Sequence, residues 1–161
     1  MTDRTKQVLR YEIGTGGDRP HAIEERFFDL SIDMLCVLGF DGYFRRLNAA
    51  WERTLGYTIE ELQSRPFFEF VHPDDRARTL NQNRDVRGGG HALSFENRYL
   101  CKDGTFRWLR WNARRDSAQQ LIYSVARDIT AEKEADAERD RLVAELQSAL
   151  AEIKMLQETE G

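Results

Sequence analysis

The order of secondary-structure signals predicts an α+β fold, in which short helices cover one face of a five-stranded antiparallel sheet. Two strand signals come first, several short helix signals follow, and three further strand signals come last. Asp-Gly pairs at 41–42 and 103–104 each mark a tight turn between two strands. The stretch from Thr130 to Glu158 lacks Gly and Pro and predicts a long amphipathic helix beyond the sheet.

The composition predicts one folded domain in a reducing compartment. Of the 161 residues, 40% are hydrophobic and 11% are aromatic, which is enough for a packed core. Cys36 and Cys101 are too few to staple a domain of this size, which favours reduced thiols. The sequence shows no stretch typical of a signal peptide and no apolar run near the roughly 20 residues that cross a bilayer. We therefore expect a soluble, cytoplasmic domain with no direct membrane contact.

The net charge of −4 is unevenly distributed along the chain. Residues 131–160 carry nine acidic and four basic side chains, so the rest of the chain is close to neutral. No cluster of Lys and Arg offers the positive face that phosphates require, and nucleic acid is not an expected partner. The sequence has no phosphate-binding loop, no serine-hydrolase motif and no zinc-protease motif, so we expect no catalytic activity.

A linker and a helix are predicted ahead of the domain core. Residues 1–20 are polar and end in several Gly residues and a Pro, which predicts a flexible linker. Residues 21–31 predict a short amphipathic helix, and the apolar side chains expected to be buried along it are Ile23, Phe27 and Leu30. The core of the domain is then expected over residues 32–130.

The first hairpin and the short helices follow in order. Strand signals lie on both sides of the Asp-Gly pair at 41–42. Asn48 is placed to cap the first short helix of the core. Thr58 and Glu61 have the spacing of a capping box for the next helix. Pro73 suits the first turn of the longest helix of the core.

Strand alternation assigns one face of each of the last three strands to the interior. The side chains expected there are Phe95, Asn97, Tyr99, Leu109, Trp111, Ser124 and Ala126. Asn97 is the one amide among them, and a polar side chain that faces a core needs a hydrogen-bond partner. Either a helix backbone or a bound polar ligand could supply that partner.

Several local motifs, in the order of the predicted elements, are similar to those of the PAS fold with its terminal PAC segment: RRLNAAWERTLGYTIEEL, FFEFVHPDD, FENRYLCKDGTFRWLRW and RDIT. The resemblance covers roughly residues 24–130. It implies a sensory module that holds its cofactor, when it binds one, between the inner face of the sheet and the short helices. It also implies that the C-terminal helix leads to an effector such as a histidine kinase, a diguanylate cyclase or a phosphatase.

The sequence leaves the cofactor open. The seven inner-face side chains line a ligand pocket, or bulky residues such as Tyr99 and Trp111 fill that space and no cofactor binds. The helical segment LQSRPFFEF has no Cys, unlike the light-oxygen-voltage relatives, which argues against covalent flavin photochemistry. The CxxCH motif of c-type haem is absent from the sequence as well. His72 lies in a turn and is expected to be a local cap rather than a metal ligand.

The end of the last strand and the following helix are the expected route of signal transfer. Asp128 is expected to anchor the strand to the helix by hydrogen bonds, and Thr130 to cap the helix after Ile129. Residues 131–161 are expected to form a coiled-coil linker helix. The side chains of its seam recur at spacings of 4, 3, 4 and 3 and are Leu142, Leu146, Ala149, Ile153 and Leu156.

These features predict a homodimer that pairs through the C-terminal helix, with the helix over 21–31 as a further contact. The leading hypothesis is a signal-sensing module that relays a change in its core to a downstream effector domain through the paired helices. The alternative is a structural adaptor that binds no ligand and only joins protein partners.

Overall fold

The computed structural model describes the chain from Arg19 to Gly161, with side chains from His21 onward. The linker predicted over residues 1–20 therefore lies almost entirely outside the described residues. The elements in chain order are α1 (Arg19–Leu30), β1 (Met34–Gly39), β2 (Phe44–Leu47), α2 (Ala50–Leu55), α3 (Ile59–Gln63), 3₁₀ turns at Phe67–Phe70 and Pro73–Asp75, α4 (Arg76–Arg87), β3 (Ala92–Leu100), β4 (Phe106–Asp116), β5 (Leu121–Asp128) and α5 (Thr130–Thr159).

The five strands form one antiparallel sheet in the order β2-β1-β5-β4-β3. This confirms the α+β class, the five strands and the long C-terminal helix. Gly42 and Gly104 adopt φ angles of 87° and 89° in the two predicted Asp-Gly turns, a region where only Gly carries no steric cost. Because β1 and β5 lie side by side at the centre, the chain enters and leaves the sheet on neighbouring strands.

The core lies between one face of the sheet and the helices α2 to α4. Trp51 on α2 is fully buried, and Phe44, Tyr99 and Trp111 surround its ring. Edge-on and tilted aromatic contacts of this kind stabilise a core beyond the area that they bury. The bulkiest side chains of the domain therefore meet at the inner face of the sheet.

The structure contains some of the predicted helix caps and not others. Thr58 and Glu61 form the capping box, each side chain binding a backbone N–H of the other residue. His72 Nδ1 accepts a hydrogen bond from the backbone N–H of Asp74 at 3.2 Å, so His72 is the local cap that was expected. Asn48 is not a helix cap, because the residue before α2 is Ala49 and no side chain caps that helix.

Asn48 instead joins three segments of the domain and is completely buried. Its Oδ1 accepts from the backbone N–H of Leu35 on β1, and its Nδ2 donates to the carbonyls of Phe28 and Asp33. The side chain thus satisfies backbone groups near the end of α1 and at the start of β1, which are both distant from Asn48 in the sequence. A buried amide with all these partners fixes how α1 approaches the sheet.

The apolar stripe of α1 faces solvent. We expected it to be buried, and this expectation is wrong within the single chain: Phe27 is 76% exposed, and Ile23 and Leu30 are exposed as well. The helix contacts the sheet through another face, where the Arg46 guanidinium lies 4.0 Å from the ring centroid of Phe28. Helix packing is set by tertiary contacts, and here Asn48 and Arg46 select a face different from the apolar stripe.

Candidate functional site

A cavity of about 60 Å³ lies between the inner face of the sheet and α4. The helix contributes Thr79, Gln82, Asn83 and Val86 to its wall. Among the seven residues predicted to face a ligand, the five that line the cavity are Phe95, Asn97, Tyr99, Trp111 and Ser124. Leu109 and Ala126 do not line it and are fully buried in the core.

Asn97 at the wall of this cavity is paired with two side chains. Its Nδ2 donates to Thr79 Oγ1 on α4 at 3.1 Å, and its Oδ1 accepts from Trp111 Nε1 on the neighbouring strand at 2.7 Å. Neither of the partners that we considered from the sequence, a helix backbone or a ligand, supplies these bonds. The amide therefore ties β3 to both α4 and β4 without help from a bound molecule.

Large side chains fill most of the space beside the cavity. The rings of Trp51, Tyr99 and Trp111 contact one another with centroids 5.4 to 5.9 Å apart. Pockets for drug-sized ligands begin at about 300 Å³, several times the volume of about 60 Å³ found here. In this conformation the cavity is too small for a flavin or a haem.

The walls of the cavity are neutral. Among the described residues that line it, none is an Asp, Glu, Lys, Arg or His. Burial raises the pKa of the Cys36 thiol to about 12 and raises the pKa of the Tyr99 phenol well above its usual value. Both groups stay protonated at neutral pH, so the cavity offers hydrogen bonds and apolar contact but no nucleophile or base.

The junction of β5 with α5 is closed by hydrogen bonds of Asp128 and Thr130. Asp128 Oδ1 accepts from the backbone N–H of Thr130 at 3.0 Å and from its hydroxyl at 2.6 Å. Asp128 therefore anchors the strand to the helix, as predicted. Thr130 does not cap the helix: its Oγ1 accepts from the backbone N–H of Trp108 on β4 at 2.9 Å. Ile129 is buried and donates its N–H to the Trp108 carbonyl at 2.8 Å.

A network of charges on the outer face of the sheet holds the first turn of α5, and the sequence did not reveal it. Glu96 on β3 lies 2.6 Å from Lys133 and 3.1 Å from Arg110 on β4. Arg110 also lies 3.4 Å from Glu132, and Lys133 Nζ lies 4.7 Å from the ring centroid of Trp108. Hydrogen bonding to Lys133, followed by that to Arg110, lowers the pKa of Glu96. Glu96 lies on the outer face because it alternates with the inward-facing Phe95 and Asn97, and Arg110 is its cross-strand neighbour on β4. Lys133 becomes its partner only through the path of α5.

A partly buried ion pair fixes the start of α4 against β3. Asp75 accepts two hydrogen bonds from the Arg98 guanidinium, at 2.8 and 3.0 Å, and one from the Arg98 backbone N–H at 2.8 Å. The Asp75 side chain is 7% exposed and that of Arg98 is 22% exposed. Hydrogen bonding to the Arg98 guanidinium is the main cause of the lowered pKa of Asp75. This pair ties the cavity helix to the edge strand.

The C-terminal helix extends beyond its first turn with its apolar side chains in solvent. None of its residues is buried, and Leu146 is 61% exposed. The other large apolar side chains that are exposed along it are Leu142, Val143, Leu150, Ile153, Met155 and Leu156. Ala149, the remaining member of the predicted seam, is exposed as well.

The part of the chain that the structure describes offers neither a membrane span nor a cluster of metal ligands. No helix there is both long enough and apolar enough to cross a bilayer. No group of three or more His, Cys, Asp or Glu side chains there could hold a metal ion.

The sheet, the small inner cavity and the outgoing helix together define a domain of the sensory type. The chain belongs to the PAS fold family, whose sequence profile matches residues 44–124, half of the chain. PAS domains are typically sensory modules of signalling proteins. The family resemblance expected from the motifs is thereby confirmed.

Individual relatives support the assignment to this family. The chain is 30% identical over 104 residues to the sensor histidine kinase TmoS of Ectopseudomonas mendocina, and the match covers 62% of the chain but 11% of the kinase. The PAS domain of an HTR-like protein from Haloarcula marismortui superposes with a TM-score of 0.61 at 24% identity, covering 70% of this chain and 99% of that one. A domain of a sensory box sensor histidine kinase/response regulator from Geobacter sulfurreducens gives a TM-score of 0.60 at 19% identity, covering 68% and 94%. At these identities the two structures show the shared fold.

Proposed function

We propose that this chain is a cytoplasmic sensing and dimerisation module, which relays a change at its cavity through paired α5 helices to a downstream effector. The observation that carries the proposal is the contrast within α5. Its first turn is fixed to the sheet, whereas an apolar stripe along the rest of the helix is exposed in the single chain. Such a stripe is stabilised when two helices pack it against each other.

The pairing is tested by a charge placed in the seam. Leu146→Glu puts a carboxylate at the centre of the stripe, and we expect sedimentation velocity to show a dimer for the unchanged chain and a monomer for this variant. Ala151→Glu adds the same charge on the opposite side of the helix and serves as the matched control, with an unchanged dimer expected. A dimer that survives Leu146→Glu would exclude this seam.

Helix α1 supplies a further contact in the proposed dimer. Its stripe of Ile23, Phe27 and Leu30 is exposed. The segment that follows α1 lies beside the end of β5, from which α5 continues, because Asp33 pairs with Arg127 of β5 at 3.1 Å. Both helices therefore leave the same end of the sheet and are available to the same partner. Phe27→Glu is expected to weaken the dimer without abolishing it, because the seam of α5 remains; an unchanged dissociation constant would remove α1 from the interface.

The identity of the effector is part of the proposal. The relative TmoS is a sensor histidine kinase, and the chain matches 11% of it. This likeness supports a histidine kinase as the module to which α5 leads. A chimera that carries this domain in place of the matching segment of TmoS is expected to autophosphorylate, and loss of that activity on Leu146→Glu would link it to helix pairing.

A second function, a ligand-free adaptor, is favoured by the small size of the cavity. The aromatic rings of Trp51, Tyr99 and Trp111 occupy the region beside it, and about 60 Å³ remain. Native mass spectrometry and the absorption spectrum of the purified chain distinguish the two functions. Added mass that is lost on unfolding supports sensing of a bound molecule, whereas the mass of the chain alone with no visible absorption supports the adaptor.

A further inference from the structure

Two adjacent residues of β3, Glu96 and Asn97, are held from opposite faces of the sheet. Asn97 points inward and is bonded to Thr79 on α4, the helix that lines the cavity. Its neighbour Glu96 points outward, and its carboxylate lies 2.6 Å from Lys133 Nζ in the first turn of α5. Adjacent residues of a strand point to opposite faces, so a single peptide unit connects the cavity helix with the outgoing helix.

A second contact from α4 reaches Glu96. Arg78 Nη1 donates to the backbone carbonyl of Glu96 at 2.6 Å. Because β3 is the outermost strand, the Glu96 carbonyl has no neighbouring strand to donate to it, and Arg78 supplies the donor. The same guanidinium lies 4.9 Å from the ring centroid of Phe95, a residue of the cavity wall. Two consecutive residues of α4 therefore hold two consecutive residues of β3.

We propose that Glu96 is the positioning residue that couples α4 to α5. A displacement of α4 moves residues 96 and 97 together, and this motion changes how firmly the Glu96 carboxylate holds Lys133 and the first turn of α5. The first turn is the part of α5 that the outer network fixes, so loosening it frees the helix to take a second arrangement. This inference rests on the proposed relay and names the residue through which the relay passes.

Hydrogen exchange of single amides in the full chain, followed by NMR, tests the coupling. The reporter is the amide of Lys133, which donates to the Ile129 carbonyl at 3.0 Å across the first turn of α5. Thr79→Val removes the hydrogen bond to Asn97. Arg78→Gln removes the bond to the Glu96 carbonyl together with the contacts to Phe95 and Asp75. Neither substitution touches α5. We expect each to speed exchange of the reporter by about fivefold, the size of one partly exposed polar contact.

The decisive comparison combines these changes with Glu96→Gln. That substitution alone speeds exchange of the reporter, and adding Thr79→Val or Arg78→Gln to it is expected to change nothing more, because the connection is already broken. Effects that simply add, or no effect of the α4 variants in the unchanged background, would overturn the proposal. Lys102→Gln is the matched control: it breaks the Lys102–Glu61 pair of 2.8 Å between α3 and the β3–β4 turn, and the reporter should not respond.

Two measurements keep the result interpretable. Amides of β1, at the centre of the sheet, report global unfolding, and a variant that accelerates them equally with the reporter is only destabilised. Arg78 is half-exposed, so Arg78→Gln remains informative if Thr79→Val unfolds the domain. Sedimentation of Leu146→Glu reports pairing separately, so failure of the dimer and failure of this coupling give different results.

Discussion

The pair between Asp75 and Arg98 makes the sharpest prediction about stability. Asp75→Asn keeps the shape of the side chain but removes the charge that receives two guanidinium bonds and one backbone N–H. Breaking a fully buried pair costs about 3–5 kcal/mol. Since Arg98 reaches solvent and Asn keeps an acceptor, we expect a loss of about 2 kcal/mol at pH 7, which lowers the urea midpoint by about 1 M.

The same variant has a defined dependence on pH. The native pKa of Asp75 is lowered, so its charge stabilises the fold fully above the pKa of the unfolded chain, about 3.9, and this stabilisation disappears as the pH falls through the native pKa. The free-energy difference between the unchanged chain and Asp75→Asn should therefore be constant from pH 7 down to about pH 5 and then shrink.

Urea unfolding followed by circular dichroism measures both quantities. Asp74→Asn is the control, because Asp74 is 76% exposed and lies 4.0 Å from the same guanidinium; we expect it to change stability by less than about 0.5 kcal/mol. Equal losses for the two variants at pH 7 would refute the account of Asp75. A difference that persists at the lowest pH where the domain stays folded would refute its electrostatic origin.

Two further predictions concern the cavity wall. Asn97→Leu leaves the indole N–H of Trp111 buried without its acceptor and should cost about 2 kcal/mol in urea unfolding; a loss below about 0.5 kcal/mol would contradict the pairing seen here. Cys36, whose pKa burial raises to about 12, should react with iodoacetamide at pH 8 only after unfolding, as peptide mass spectrometry can follow; rapid labelling of the native chain would show that the wall opens.

The inner face of the sheet was predictable because alternation along a strand is a local rule. Phe95, Tyr99 and Trp111 face the interior as their positions in the strands required. The rule does not distinguish a residue that lines the cavity from one that is packed elsewhere in the core. Leu109 and Ala126 are of the second kind. That distinction depends on where α4 crosses the sheet, which no local pattern contains.

The caps show the same limit. The box of Thr58 and Glu61 closes within four residues and follows from spacing alone. Asn48 and Thr130 have equally good capping side chains, but each binds a backbone group 13 or more residues away. Where a buried backbone group of another segment competes for a side-chain oxygen, satisfying it outweighs a local cap.

The sequence by itself determined the order of the elements, the class of the fold, the two Asp-Gly turns and the apolar periodicity of the last helix, since these depend on spacings of two to seven residues. Only the tertiary structure decided the volume of the cavity, the partners of Asn97, the exposed stripe of α1 and the contact between Glu96 and Lys133. Those features join residues that are far apart in the chain, and their distances are set by strand register and helix path. The proposed relay belongs to this second group, because it runs across the sheet rather than along the chain.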